Sequence, residues 1–433
     1  MRVPRYLVVS TLIVMVLAAL VVAAPVKLVF WHMEARPHRV QAIEELCKQF
    51  NREYPDIEIV PQVQSWGEIY QVAPAAIQAR RGPDFMLTIP DFLMFIKNLG
   101  VLQPVTDIVE SLKQKYTLFD SAIEPYHFDG NYWAVPVYGM TFVLWYRKDL
   151  FEKAGLDPNR PPRTWDELLD FCEKIKKSGT VQYPIAVPGA VHMATDQLIY
   201  SLMVVNRAEH IFGEDPNDVI FDNPRTVQVY EFYKKLFSYS PPGSANWAWD
   251  EPRTALFTGR VAMVMEKGHY IKGWVDNTEL PLSLLGCAPI PVPEDGQPGA
   301  IYYSNGLMLL TNDPAKKEAF AKFVSWLYQP KVMSKLLHMD PGFFLPVTKE
   351  VQFSDEFWSN PIIKEKVAAV LIQIETARNG KLFGFTRDAV NKNVGSISAS
   401  NLLAWTAQLI TVRGLNANEA VKQGAQKMRE AIK

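Results

Sequence analysis

Three tryptophans in this 433-residue chain stand in loop-like sequence, where burial in a core does not readily explain them. Trp66 follows a predicted strand in QSWG, and Trp247 and Trp249 lie in PPGSANWAWD beside proline and glycine. A sugar presents hydroxyls and a face of C–H groups, so its site combines polar side chains with flat aromatic surfaces. We therefore predict that the three indoles line a binding cleft. The alternative for Trp66 is a cover over a nearby hydrophobic core.

Charged and imidazole side chains at loop positions supply the polar half of such a site. Glu34 and Arg36 fall between the first predicted strand and the next helix, His269 follows a glycine, and Arg387 follows the loop sequence GFT. Carboxylates accept hydrogen bonds from hydroxyls, whereas guanidinium groups donate them. We predict these four as ligand-binding residues. The alternative is a solvated surface group, or for Arg387 a surface ion pair.

Motifs for catalysis are missing from the sequence, which contains no GxSxG nucleophile elbow, HExxH zinc motif, Walker A loop or dinucleotide fingerprint. Cys47, Cys172 and Cys287 form no CxxC pair or Cys/His cluster, and we interpret them as buried thiols. The alternative is one disulfide with one thiol left over. We expect no enzyme activity, no cofactor and no metal. A sugar-acting hydrolase stays open as an alternative, because scattered Asp and Glu residues are compatible with one.

Opposite charges balance along the chain, with 45 Lys and Arg against 46 Asp and Glu. No overall field attracts nucleic acid or anionic lipid, so neither is expected as a partner. The length and a hydrophobic fraction of 48% suit a globular protein with two domains of roughly 200 residues each.

The N-terminus has the pattern of a secretory signal. Arg2 and Arg5 precede an apolar run over residues 6–24 that ends in small residues, with a favourable cleavage point after Ala23. We predict a signal peptide at 1–24 and an exported protein, periplasmic or extracellular. No cysteine follows the run, so a lipoprotein anchor has no attachment point. The alternative is an uncleaved anchor helix, since the run is nearly long enough to span a bilayer.

Strand and helix patterns alternate from the start of the remaining chain. Residues 26–31 predict a buried strand, apolar residues at helical spacing follow it, and 57–60 and 85–89 predict two more strands. Ligands of open α/β sheets bind beyond the carboxyl ends of strands, so the loops at 32–36, 64–66 and 88–91 are the first candidates for a site.

Later segments carry helix-start signals. TWDE at 164–167 has the spacing of a capping box, and Asp313-Pro314 places a capping residue before a first-turn proline. The chain ends in a further amphipathic helix. Because helices and strands mix throughout, the sequence predicts an α/β fold.

Several ordered motifs together resemble one known family. They are DGNYWAVP at 129–136, LWYRKDLFEKAGL at 144–156, PPRTWDEL at 161–168 and FTGRVAM at 257–263. In order and spacing they resemble the extracellular solute-binding proteins of the carbohydrate-uptake type (family 1), which serve ATP-binding cassette (ABC) importers. The similarity covers nearly the whole chain after the apolar run.

This resemblance implies a periplasmic-binding-protein-like fold, in which two α/β lobes are joined by crossing strands around a ligand cleft. The crossings would fall near 137–140, 300–305 and 342–347. We expect lobe 1 to comprise residues 25–137 plus 305–342, and lobe 2 to comprise 138–304 plus 343–433.

The resemblance also implies further site residues: Asp91 as a polar ligand-binding group, Tyr138, Asn305 and Phe343 at the crossings, and Tyr270 where the family often stacks a tryptophan on the sugar. For Phe343 the alternative is packing at the hinge. The implied function is capture of a sugar or oligosaccharide by lobe closure and its delivery to the membrane permease subunits, by a monomer. A polyol or a glycerol phosphate ester is the alternative ligand.

Overall fold

The computed structural model describes residues 24–386 and 389–433. The predicted signal peptide and Arg387 therefore lie outside the described residues, apart from Ala24. The strands are β1 Val26–His32, β2 Ile57–Val63, β3 Phe85–Thr88, β4 His127–Phe128, β5 Asn131–Tyr132, β6 Val135–Arg147, β7 Ile185–Ala186, β8 Met263–Lys267, β9 Leu285–Ala288, β10 Tyr302–Leu309, β11 Phe385–Thr386 and β12 Ala389–Val390.

Helices alternate with these strands. They are α1 Pro37–Glu53, α2 Ile69–Gln78, α3 Pro90–Lys97, α4 Thr106–Lys113, α5 Asp120–Ile123, α6 Lys148–Lys153, α7 Trp165–Lys177, α8 Met193–Val205, α9 Pro224–Phe237, α10 Asp250–Phe257, α11 Tyr270–Asn277, α12 Pro314–Leu327, α13 Pro330–Leu337, α14 Lys349–Gln352, α15 Asp355–Trp358, α16 Pro361–Glu365, α17 Val367–Arg378, α18 Val394–Ala399, α19 Leu402–Thr411 and α20 Ala417–Ala431.

The predicted N-terminal β-α-β pattern is confirmed. β1 pairs in parallel with β2 and with β3, and the main sheet has the order β2-β1-β3-β10-β6-β8-β7, with β9 beside β6. Parallel strands 1 to 3 end at the same edge, so the segments that follow them meet there.

Two long antiparallel strands pass from one lobe to the other. The 13-residue strand β6 is buried along its whole length. Its first half pairs with β10 as far as Thr141, and its second half pairs with β8 from Phe142 onward. A third crossing runs beside them, since Gly139 and Leu345 exchange both backbone hydrogen bonds, at 2.9 and 2.8 Å. The predicted fold class, two α/β lobes joined by crossing strands, is confirmed.

The contacts of the later helices differ from our expected division into lobes for one segment, residues 349–358. α12 packs on β1 and β3, with Phe85 and Phe320 ring centroids 5.1 Å apart, as expected for the segment 305–342. α14 and α15 pack against α13, and Thr117 N donates to Glu350 Oε2 at 2.9 Å. These contacts favour placing residues 349–358 with the first lobe. The full division into lobes stays a prediction.

The predicted helix caps are confirmed. Thr164 Oγ1 accepts from Glu167 N at 3.1 Å, and Asp313 Oδ1 accepts from Ala315 N at 2.9 Å. The three cysteines are free; Cys47 and Cys172 are buried as expected, whereas Cys287 is only half-buried. Over the described part of the chain, no helix has the length and apolar character needed to cross a membrane.

Candidate functional site

A cavity of about 510 Å³ opens beside the crossing strands and is lined by elements of both lobes. The loop after β1 and the loop after β2 form one side, and the end of β8 with the starts of α8 and α10 forms the other. Seven of the predicted ligand-binding residues line it: Glu34, Arg36, Trp66, Trp249, His269, Asn305 and Phe343. The volume is within the usual range for small-molecule sites, roughly 300–1,000 Å³.

Glu34 is held on the wall of the cavity by a buried ion-pair network. Its Oε1 accepts from Tyr138 Oη at 2.7 Å, and its Oε2 accepts from Arg39 Nη1 at 2.7 Å. Arg39 also donates to Asp340 through Nε at 3.0 Å and through Nη2. The guanidinium lies 4.6 Å from the ring centroid of Phe343, another wall residue. The network therefore fixes the carboxylate and the aromatic ring relative to each other.

Asp340 completes this network behind the wall. Burial alone would raise the pKa of its carboxyl, but the charge of the adjacent Arg39 guanidinium and its hydrogen bonds hold that pKa below its ordinary value. The carboxylate therefore remains charged at neutral pH and keeps Arg39 oriented.

Arg36 is held at the mouth of the cavity. Its Nη2 donates to Asp250 Oδ1 at 2.8 Å, across 214 residues of sequence. The same oxygen accepts from Arg253 Nη2 at 2.8 Å. One carboxylate thus serves two guanidinium groups, and it joins the loop after β1 to α10.

Indoles from the two lobes form the aromatic part of the wall. Trp66 precedes α2, and Trp249 lies at the start of α10. The Trp249 ring makes an edge contact with His192, with centroids 4.5 Å apart, and its buried Nε1 has no hydrogen-bond partner among the described residues. Both indoles can offer flat surface to a ligand, and one also offers a free donor.

A polar cluster lies where β8 ends. Lys267 is 8% exposed, and its Nζ donates to Gln197 Oε1 at 2.8 Å and lies 4.8 Å from the Trp249 ring centroid. His269 Nε2 lies 3.0 Å from Glu266 Oε2. Burial lowers the pKa of His269 to about 4 despite this carboxylate, so the imidazole is neutral at pH 7.

Asn305 lies on β10 between the lobes and is fully buried. Neither its Oδ1 nor its Nδ2 has a hydrogen-bond partner in the described parts of the chain, and the residue faces the cavity. The β6–β10 pairing shifts register between Asn305 and Gly306, which marks a local irregularity in the strand. A buried amide with both atoms free is costly without a ligand or water to satisfy it.

The structure places four predicted residues away from the cavity wall. Asp91 is buried in the first turn of α3, where its Oδ2 accepts from Tyr70 Oη at 2.9 Å. Tyr138 lies behind Glu34 and bonds to it rather than facing the cavity. Trp247 packs near Arg260, 5.5 Å from its Cζ. Tyr270 is fully buried, with its ring 5.6 Å from that of Trp145.

Two of these positions share a physical explanation. Asp91 and Tyr270 belong to helical segments in which both side chains are buried, whereas we expected Asp91 in the loop at 88–91 and placed Tyr270 by family resemblance. A ligand role for the four, and for Arg387 outside the described residues, stays a prediction.

Sequence reasoning missed several wall residues. Those with chemistry suited to a polar ligand are Arg39, Gln197, Asp250, Lys267 and Tyr303, and Met33, Met140 and Met193 add apolar surface. One available signal pointed to Lys267, because it ends the buried strand β8, at the edge where α/β sheets bind ligands. In the described residues, no group of His, Cys, Asp and Glu is suited to hold a metal ion.

The chain belongs to the family of bacterial extracellular solute-binding proteins, which it matches over residues 36–334. Members of this family are binding proteins that serve membrane importers. The family resemblance predicted from the motifs is thereby confirmed.

Individual relatives agree with this family. The maltotriose-binding protein of Pyrococcus abyssi is 24% identical over 374 residues, covering 84% of this chain and 77% of the relative. The sn-glycerol-3-phosphate-binding periplasmic protein UgpB of Pectobacterium atrosepticum is 25% identical over 333 residues, covering 74% of this chain and 72% of the relative. A solved ABC transporter solute-binding protein from Thermotoga lettingae TMO, bound with α-D-tagatose, superposes with a TM-score of 0.76 at 22% identity, covering 94% of this chain and 100% of that one.

Proposed function

We propose that this protein is the substrate-binding component of an ABC importer, which captures a sugar or oligosaccharide between its lobes and delivers it to the membrane permease. The observation that carries the proposal is the 510 Å³ cavity lined from both lobes, with Trp66 and Trp249 as aromatic surfaces. The Asn305 amide, which lacks a partner among the described residues, faces the same cavity. The names of the relatives support a carbohydrate or a related polar molecule as the ligand.

The cavity wall is divided between the two lobes, and this division predicts that a bound ligand draws them together. Trp66 comes from the first lobe, Trp249 and Lys267 come from the second, and Asn305 lies on a strand that both share. A ligand that contacts all of them stabilises only the arrangement in which the lobes are close. It therefore shifts the population toward the closed form, which is the form we propose the permease recognises.

We propose that the site binds its ligand without chemical change. A glycoside hydrolase needs one carboxyl as proton donor and a second as base or nucleophile. The two carboxylates of this wall, Glu34 and Asp250, are each engaged by arginine. Each already accepts hydrogen bonds from a guanidinium group, so the wall, as far as the structure describes it, lacks a second carboxyl positioned to donate a proton.

Export and a monomeric state complete the proposal. The family and its periplasmic relatives support a position outside the cytoplasm, where an importer receives its cargo. A polyol or glycerol phosphate ester is retained as an alternative ligand, since one relative is named for sn-glycerol-3-phosphate.

A thermal-shift screen of the purified protein against sugars, sugar derivatives and polyols tests this function. A ligand that binds only the folded state stabilises it by about 2.7 kcal/mol at a concentration one hundred times its Kd, which raises the Tm measurably. We expect at least one saccharide to raise the Tm and to be recovered intact after long incubation. A screen in which no saccharide or polyol shifts the Tm would contradict the proposal, and turnover of a bound saccharide would contradict its non-catalytic part.

A further inference from the structure

The carboxylates of the cavity wall, Glu34 and Asp250, are each engaged by arginine. Both carboxylate oxygens of Glu34 accept, one from Tyr138 and one from Arg39. Asp250 Oδ1 accepts from two guanidinium groups. The charge of each wall carboxylate is therefore balanced by an arginine of the protein, although both keep lone pairs that can accept from a ligand hydroxyl.

Donors, by contrast, remain free on the side of the second lobe. The ammonium of Lys267 is almost fully buried, and its hydrogen-bond partner is the neutral amide oxygen of Gln197. Within residues 24–386 and 389–433, no carboxylate oxygen lies within 4.0 Å of its Nζ. Trp249 Nε1 and Asn305 Nδ2, which have no hydrogen-bond partner in the described part of the chain, are further donors of the same wall.

A buried ammonium whose direct hydrogen-bond partner is a neutral amide is costly, and an anion supplied by the ligand reduces that cost. Charge-assisted hydrogen bonds are also stronger than neutral ones. We propose, as a refinement that rests on the proposed function, that the cargo is an acidic sugar whose carboxylate or phosphate group is bound by the Lys267 ammonium. The sugar ring then lies against Trp249, and Asn305 contacts its hydroxyls.

The surroundings of Lys267 give this site a pH dependence. The charged and titratable groups that influence or adjoin its ammonium are Glu34, Arg36, Arg39, His192, Glu266 and His269. Burial is the largest effect and lowers the pKa of Lys267 to about 8, although Glu266 and Glu34 attract the proton. The pKa values of His192 and His269 are lowered, chiefly by burial, so neither imidazole titrates near pH 8.

A bound anion favours the protonated amine and raises its pKa. The free protein loses the Lys267 proton as the pH rises through about 8, whereas the complex retains it. Binding of an acidic sugar is therefore expected to take up protons at pH 8–9 and to weaken as the pH increases through that range. A neutral sugar is expected to show a much smaller dependence.

Isothermal titration calorimetry with matched ligands tests the refinement. The pairs are glucuronate against glucose, galacturonate against galactose, and digalacturonate against a neutral disaccharide, with glucose 6-phosphate to distinguish a phosphate from a carboxylate. We expect an acidic member to bind about tenfold or more tightly than its neutral counterpart.

Variants assign that preference to one side chain. Lys267→Met is expected to abolish the acidic preference and the proton uptake, and Lys267→Arg to retain part of the preference without the pH dependence near 8. Lys272→Met is the control, because Lys272 lies on α11 outside the cavity wall and pairs with Asp276 at 2.6 Å. Melting curves of each variant establish that it is folded.

Two results would overturn the refinement. Neutral sugars that bind as tightly as their acidic counterparts would refute it and leave the proposed function intact, as would an acidic preference unchanged in a folded Lys267→Met protein. A protein that binds no saccharide or polyol at all would refute the proposed function as well.

Discussion

The side-chain amides of Asn51, which is half-buried, and Asn305, which is fully buried, have different roles. Asn51 donates to the backbone oxygen of Ile59 at 3.1 Å and accepts from its backbone nitrogen at 2.9 Å, so its amide ties α1 to β2. Asn305 is more deeply buried, yet neither of its amide atoms has a partner among the described residues. The first amide belongs to the fold, and the second is available to a ligand.

Alanine at each position is expected to separate these roles. Asn305→Ala removes contacts that only a ligand makes, so it should weaken sugar binding by about 1–3 kcal/mol, roughly 5- to 150-fold, with little loss in Tm. Asn51→Ala should lower the Tm and leave affinity unchanged. Calorimetric titration and thermal melts of both variants make the comparison. Equal affinities of the wild type and Asn305→Ala would show that the amide does not contact the ligand.

At the residue scale, the sequence predicted site residues well where loops follow strands. Glu34, Arg36 and Trp66 are in segments that the strand-end rule selected, and the structure places all three on the cavity wall. Gln197 was not predictable in this way, because α8 is buried along nearly its whole length and shows no polar stripe. Lys267 and Arg39 were missed because their burial depends on partners distant in sequence.

At the scale of elements, α7 is a helix whose start is specified by residues next to it in sequence. Thr164 precedes the helix in an extended conformation and caps it through the Glu167 nitrogen, and Glu167 Oε2 in turn accepts from Arg163 N at 2.7 Å. This reciprocal pattern satisfies donors that a helix N-terminus otherwise leaves free.

Loss of the cap should destabilise the protein measurably. We expect Thr164→Ala to lower the free energy of unfolding by about 1 kcal/mol, within a range of 0.5–2 kcal/mol. Thr254→Ala is the matched control, since Thr254 is exposed inside α10 and its hydroxyl bonds back to Asp250 O within the helix. Chemical denaturation compares the two. A Thr164→Ala protein as stable as the control would mean that tertiary packing, rather than the cap, holds the start of α7.

The crossing elements show what local sequence reasoning leaves open. The motifs located β6 by family resemblance, but an unbroken apolar run does not reveal that its first residues pair in one lobe and its last in the other. That division is decided by strands β8 and β10, which lie more than a hundred residues later. The capping residues and the first β-α-β unit, by contrast, depend on neighbours in sequence and were predicted closely.

For the whole molecule, the crossings decide how the lobes can move. β6, β10 and the segment at Leu345 connect the lobes side by side, with backbone hydrogen bonds between β6 and each of the other two. Because three connections lie side by side, we expect the lobes to bend about an axis through the crossings rather than to move independently of each other. Ligand contacts on both sides of such a hinge convert binding into closure.

Small-angle X-ray scattering measures this closure directly. With a saturating ligand from the thermal-shift screen, the wild type is expected to show a smaller radius of gyration, because Trp66 and Trp249 approach the ligand from opposite lobes. Asn305→Ala at the same ligand concentration is the control, and its radius of gyration should decrease less, in proportion to the fraction of protein that remains bound. If the saturated wild type also kept those dimensions, binding would occur without closure, and delivery to the permease would depend on a surface already present in the free protein.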